Sequence, residues 1–294
     1  MNLPNFIIIG AAKAGTTTLY KYLCRHPKIY MSTPKEPDFF SIDSHYAKGM
    51  DWYTSLFNNA QSDQICGEAS TTYSRLQQHP KSIERINQAL PNVKLIYIMR
   101  HPVDGAYSFY VHRLKGARYH PELAVSDTFE ETIKQQSEFL DNGYYQDCIE
   151  QYLRFFPRES LLPLLMEDLI QQPGETMKKI FRFINVDPEI DVIQETPVAA
   201  NKATDHPDWF VRKQLTASFK AIPGVSQAAA LLPKGMRDRV YQVLKKFQYK
   251  SWVEKQYMPP PILPETRKML LARFHEPNKR LAEFLNRDLS HWDK

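Results

Sequence analysis

The stretch NFIIIGAAKAGTTTLYKYL, residues 5–23, decides how the rest of the chain is read. Residues 5–10 are a short apolar run closed by Gly10, which suits a buried strand of a parallel sheet. From Thr16 onward, Leu19, Tyr20 and Leu23 recur at the spacing of a helix face. A glycine-bearing turn between a strand and a helix points backbone N–H groups at one spot. The helix N-terminus adds partial positive charge there, so the turn can cradle an anion. Gly10 and Gly15 have the spacing of the phosphate-binding pattern G-x-x-x-x-G-K-[ST], but that pattern places its lysine directly after the second glycine. Here Thr16 and Thr17 follow, and the lysine lies inside the turn as Lys13. With Ala14 and Gly15 beside it, Lys13 would sit over a bridging oxygen or leaving group, and the hydroxyls of Thr16, Thr17 and Thr18 can donate to non-bridging oxygens. No Ser or Thr follows the lysine of this turn and no strand ends in a Walker-B aspartate, so the pattern makes no call for Mg²⁺. Taken alone, the same residues also suit a plain tight turn.

Working outward, KIYM (28–31), VKLIYIM (93–99) and SLLPLLME (160–167) read as strands. AKGMDWYTSLF, SIERINQALPN, VDGAYSFYVHRL, YYQDCIEQYLRFF and GETMKKIFRFI carry helical spacing. A last helical pattern opens at a proline cluster and closes near Asn286. Strand, loop and helix alternate, which predicts an α/β fold: a P-loop-like, three-layer arrangement with a central parallel sheet flanked by helices. The chain, 1–294, is read as a single domain. Its segment 209–255 differs in character, with ten basic residues against Asp238 and Glu254.

The best-defined strand ends at Arg100-His101-Pro102, with Ser108 eight residues on in the helix that follows. Ligands of open parallel sheets collect beyond the carboxyl ends of the strands, and an arginine there is a bidentate partner for phosphate. Either residue alone could equally serve the structure, Arg100 by pairing with a carboxylate and Ser108 by facing solvent.

Composition bounds the class. At 294 residues with 43% hydrophobic and 24% charged, the chain is ordinary globular protein. A net charge of +5 suits an anionic ligand but is too mild for a nucleic-acid binder. Cys24, Cys66 and Cys148 make neither a disulfide framework nor a zinc pattern. No signal-like segment opens the chain and no run of 18 apolar residues occurs, so the expected location is cytoplasmic.

The two halves AKAGTTTL and RHPVDGAYS together resemble the sulfotransferases that use 3′-phosphoadenosine 5′-phosphosulfate. In that family a PKxGTTxL turn holds the 5′-phosphosulfate, and here alanine stands at position 12 in place of proline. An arginine ending a strand and a serine eight residues later grip the 3′-phosphate, which this chain matches at Arg100 and Ser108. The resemblance implies a donor site of Lys13, Ala14, Gly15, Thr16, Thr17, Thr18, Arg100 and Ser108, no required metal, and 3′-phosphoadenosine 5′-phosphate as product. It also explains the displaced lysine, since Lys13 can neutralise the departing bridge oxygen.

HPKIYMSTPKEPDFF is similar to the branch containing the heparan sulfate sulfotransferases and bacterial relatives. That similarity implies Glu36 as the general base; the alternative is an ion pair with Lys35 or an exposed loop charge. Lys35 itself either orients the reacting groups or is merely exposed. One departure stands out: where that branch has lysine after the glutamate of EK[ST], this chain reads Glu68-Ala69-Ser70. The expected acceptor carries a hydroxyl or amine, with a carbohydrate favoured by the branch, although the missing lysine speaks against a polyanion.

Among the histidines, His45, His101, His112 and His120 lack metal-ligand spacing, and His101 before Pro102 is read as shaping the turn. Tyr144 and Tyr145 line either an acceptor cleft or the core. The segment 209–255, with Trp209, Phe210, Leu231, Leu232 and Trp252 among its charges, is a solvated surface, a peripheral membrane contact or a lid. Two rival functions remain: a P-loop phosphoryl transferase such as a kinase, and a non-catalytic nucleotide- or sugar-binding protein.

Overall fold

The computed structural model describes residues 3–117, 124–193 and 259–294. The basic segment 209–255 and His120 lie outside them. Five parallel strands form one sheet in the order β2-β3-β1-β4-β5. They are β1 (Phe6–Gly10), β2 (Ile29–Met31), β3 (Ile65–Ala69), β4 (Lys94–Met99) and β5 (Leu161–Leu165). Every residue of β1 is buried, and so are five of the six in β4. Successive side chains of a strand point to opposite faces, so burial without alternation means that helices cover both faces of the sheet. Each of Phe6, Ile7, Ile8 and Ile9 contributes ~1.5–3 kcal/mol by leaving water.

The helices are α1 (Thr16–Leu23), α2 (Asp43–Tyr46), α3 (Gly49–Ser55), α4 (Ser82–Ala89), α5 (Pro102–Ala117), α6 (Phe129–Gln135), α7 (Glu138–Asp141), α8 (Tyr145–Tyr152), α9 (Met166–Gln171) and α10 (Pro173–Ile184). Proline opens α10, and Asn185 closes it in the left-handed conformation, with the Val186 amide donating back to the Phe181 carbonyl at 3.0 Å. The last helix, Pro264–Leu285, is closed in the same way by Asn286. It returns to the body of the fold: Arg267 pairs with Asp104 of α5 at 2.9 Å and Arg280 with Asp147 of α8. Beyond it, the buried Trp292 donates its indole N–H to Glu167 at 2.9 Å.

β3 is the strand that the periodicity does not announce. Gly67 and Glu68 interrupt its apolar run, yet Glu68 is 0% exposed. Gly67 is dictated by packing, since a Cβ there would meet the Phe6 ring at 2.2–2.6 Å. Among the described residues both edges of the sheet are blunt: β2 has three residues, and β5 carries Pro163 at its centre.

The strand order places the site. The chain leaves β1 toward β2 on one side and leaves β4 toward β5 on the other. β1 and β4 are neighbours, so their carboxyl ends flank a topological switch point, where such sheets open a crevice.

Candidate active site

The turn after β1 continues the sheet for one more bond, Ala11 N donating to Ile98 O at 2.7 Å, and then folds back through Ala14 N to Ala11 O at 3.2 Å. Lys13 has φ 64° and Gly15 φ 95°, so the turn passes twice through the left-handed region. Glycine adopts that region without strain and lysine does so at a cost. Leu19 N to Gly15 O, 3.0 Å, begins the helical bonding of α1. The amides of Thr16, Thr17 and Thr18 precede it and form the donor-rich helix start. Thr16 is buried, whereas Thr17 and Thr18 are half-buried.

Arg100 follows the last residue of β4 and reaches across the switch point. Its Nη1 donates to the Lys13 carbonyl at 3.0 Å. Asn142, buried just before α8, donates to the neighbouring Ala12 carbonyl at 3.3 Å. The turn is therefore gripped from two sides. Behind Arg100 lies the wholly buried Tyr145, whose hydroxyl would stand 3.5 Å from a Cβ at Gly105. Of the two readings for the tyrosine pair, Tyr145 belongs to the core; Tyr144 packs on Phe274 and accepts from Arg273 at 2.7 Å. His101 shapes the turn as expected, its Nδ1 accepting the Asp104 amide at 3.4 Å as Pro102 opens α5. Ser108 lies in the second turn of α5, half-buried.

The electrostatics are those of an anion site. Burial pushes the Lys13 ammonium pKa below its ordinary value, and the charge of Arg100 lowers it further. Glu36 opposes that shift, and Lys35 adds to it. Lys13, Arg100, Glu36 and Lys35 thus feel one another although they come from three separate stretches of chain.

Glu36 sits at φ 59° and Asp38 at φ 51° in a loop laid along β3 and the turn after it. Glu36 N donates to Ala69 O at 3.0 Å, Asp38 N to Ser70 Oγ at 3.1 Å, and Phe40 N to Tyr73 Oη at 3.3 Å. The Glu36 carboxylate pairs with Lys35 and accepts from Thr71 Oγ1 at 3.4 Å, with 38% of its side chain exposed. The ion pair and an accessible carboxylate therefore coexist. Asp38 is more deeply placed: burial raises its pKa while Thr72 Oγ1, donating at 2.6 Å, lowers it.

Sequence reasoning passed over His112. Its pKa is pushed down by partial desolvation first and by the Lys13 charge next, with Glu36 acting in the opposite sense. An imidazole thus joins Lys13 and Glu36 at the solvent-facing side of the site. The signal was present, because His112 follows Ser108 by four residues and shares its face of α5. Among the described residues no cluster of His, Cys, Asp and Glu could hold a metal ion. Asp168, shortly after β5, is taken by both guanidinium nitrogens of Arg287.

A parallel sheet with a glycine turn, a lysine and a strand-end arginine at its switch point is the architecture of a group-transfer enzyme built for an anionic donor. The chain belongs to the sulfotransferase family: residues 3–276 match the family described as Sulfotransferase domain. Over 205 residues, 63% of the chain, it is 32% identical to the human bifunctional heparan sulfate N-deacetylase/N-sulfotransferase 2. Against the Drosophila melanogaster bifunctional heparan sulfate N-deacetylase/N-sulfotransferase it is 28% identical over 216 residues. The matches cover 22% and 20% of those proteins, so the chain spans about a fifth of the length of these curated relatives. The fold is also that of a sulfotransferase from Alicyclobacillus acidocaldarius, at TM-score 0.66, 24% identity and full coverage of both chains. A sulfotransferase domain from the curacin biosynthetic pathway follows at TM-score 0.50 and 18% identity, covering 98% of this chain and 100% of that one.

Proposed function

We propose that the protein moves the sulfuryl group of 3′-phosphoadenosine 5′-phosphosulfate to a hydroxyl or amine of a carbohydrate acceptor, releasing 3′-phosphoadenosine 5′-phosphate. The observation that carries this reading is the direct bond from Arg100 to the backbone of Lys13, which brings the two halves of the donor signature together at the switch point. The residues suit that donor. A half-buried ammonium and a guanidinium repel each other, so the pair is relieved by an anion placed between them. The amides of Thr16, Thr17 and Thr18 and the threonine hydroxyls add donors suited to phosphate and sulfate oxygens.

The donor supplies a sulfuryl group already activated by its phosphate leaving group. The chain's own residues bind and orient it: the turn 13–18 at the 5′ end, Arg100 and Ser108 at the 3′-phosphate. Transfer of this kind resembles phosphoryl transfer, with a loose, in-line transition state whose charge is met by positioning and electrostatics. Lys13 neutralises the negative charge that grows on the bridging oxygen. Glu36 takes the acceptor proton, for which it must come within about 2.6–3.2 Å of the nucleophile. Its ion pair with Lys35 keeps a cation beside that carboxylate until the acceptor arrives.

The N-sulfotransferase relatives support a carbohydrate and leave an amine as eligible as a hydroxyl. Ala69, standing where that branch carries lysine, argues for a less highly charged sugar. A kinase would place lysine after Gly15, where this chain has Thr16. We place the protein in the cytoplasm, a reading supported by its three free thiols. Among the described residues no helix is long and apolar enough to cross a membrane.

The test is calorimetry with 3′-phosphoadenosine 5′-phosphate without added metal, followed by incubation with labelled donor and a panel of amino sugars and neutral saccharides. Binding and label transfer are expected; preference for ATP with Mg²⁺ overturns the donor assignment.

A further inference from the structure

We infer that Glu68 is a positioning residue for Glu36: as a neutral acid it keeps the loop 35–41 seated on β3, and its ionisation loosens that loop. This deepens the proposed function, since it rests on Glu36 as the base.

The geometry comes first. Glu68 lies inside β3, paired in register with Ile7 of the central strand, and is 0% exposed. Neither carboxylate oxygen accepts a well-formed hydrogen bond, nor does the buried Tyr53 hydroxyl make one, although the hydroxyls of Tyr53, Tyr73 and Ser70 lie close enough to ease a charge there. A buried carboxylate without partners costs several kcal/mol, which the neutral acid largely avoids. The groups that face it are the hydroxyls of Tyr53 from α3, Tyr73 and Ser70 from the turn after β3, and Tyr152 from α8. The charge of Asp38 faces it from the loop itself.

These neighbours are the groups that hold the loop. Tyr73 Oη accepts the Phe40 amide and Ser70 Oγ accepts the Asp38 amide. Tyr53 stacks on Phe39 at 4.6 Å and meets Phe40 edge-on at 4.9 Å. A negative charge created at Glu68 would therefore repel Asp38 and turn the tyrosine and serine O–H groups toward itself, pulling on the oxygens that accept the loop amides. Glu36, two residues from Asp38, moves with the loop.

Burial raises the Glu68 carboxyl from an ordinary 4.5 to about 7, with the surrounding hydroxyls working against the shift and Asp38 adding to it. The sign follows from linkage. The seated loop favours the protonated form, whereas a released loop hydrates Glu68 and lets it ionise as usual. Seating is therefore tightest below the ordinary value, weakens as pH climbs toward the raised one, and levels off above it. Between pH 6 and 8 the predicted loss is about tenfold.

Hydrogen exchange with residue resolution tests this without donor or acceptor, so its outcome stands apart from the sulfuryl-transfer reading. Protection factors of the Glu36, Asp38 and Phe40 amides, corrected for intrinsic rates, are expected to fall about tenfold from pH 6 to 8 in the wild type. They should stay level in Glu68→Gln, while Ser70 N, bonded to Ile8 O inside the sheet, stays protected in both proteins. A carbon-13 titration of the Glu68 carboxyl should track the loop amides. The proposal is overturned if those amides keep their protection through that titration, if both proteins change alike, or if Glu68→Gln loses protection at every pH.

Discussion

Arg100 spends one of its guanidinium nitrogens on the Lys13 carbonyl, 3.0 Å away. The residue expected to recognise one end of the donor therefore also braces the turn that receives the other end. Arg100→Lys should hold the turn but lose the planar fork. Arg100→Ala should weaken 3′-phosphoadenosine 5′-phosphate about 10- to 100-fold, the range of a lost charge-assisted hydrogen bond. Its effect on adenosine 5′-phosphosulfate, which lacks the 3′-phosphate, should be much smaller. Calorimetry with both ligands checks this, and equal losses would mean that Arg100 does not read the 3′-phosphate.

Lys13 makes a prediction about protons. Burial first and Arg100 second hold its pKa below the ordinary lysine value, so at alkaline pH a fraction of the free protein carries a neutral amine. A bound anion favours the ammonium, so binding must take up a proton in the window between the lowered value and that of the complex. Affinity then falls as pH rises through that window. Calorimetry in buffers of different ionisation enthalpy measures the uptake, which should vanish in Lys13→Ala. The same variant should lose on the order of 10²–10³ in turnover, as when one donor to a developing oxyanion is removed.

Glu36→Gln separates binding from chemistry. The substitution preserves size and the loop's backbone bonds while removing the proton acceptor. Affinity for 3′-phosphoadenosine 5′-phosphate should be unchanged, while turnover falls by roughly 10²–10⁴. A variant as active as the wild type would assign the proton to another group, with His112 next in line.

Gly67→Ala tests the fold away from the donor turn. The new methyl would press into the Phe6 ring, which is itself wholly buried between layers. Overpacking of this kind costs ~1–3 kcal/mol. Thermal unfolding should show a drop of several degrees, and a Tm equal to the wild type's would mean that β1 and β3 pack more loosely than described.

What the sequence disclosed divides along physical lines. β1, β4 and β5 are nearly continuous apolar runs because both faces of the sheet are covered, and their ends fell within a residue or two of the expected ones. β3 escaped because it breaks the rule that makes strands visible: it holds a glycine forced by a neighbouring ring and a carboxyl with no business in a core. The short helices α6 and α7 escaped as well, being too brief for periodicity to register. At the site, the lysine turn and the strand-end arginine were legible because each sits next to a strong backbone signal. That they touch was not, since 87 residues separate them. His112 was judged for metal spacing alone and so missed as a neighbour of Lys13.

The blunted margins of the sheet bear on how the protein behaves in company. A proline offers no amide to an incoming strand, and three residues give one little to zip onto. Two folded molecules meeting side by side therefore find only a short or interrupted ladder to extend along the described sheet.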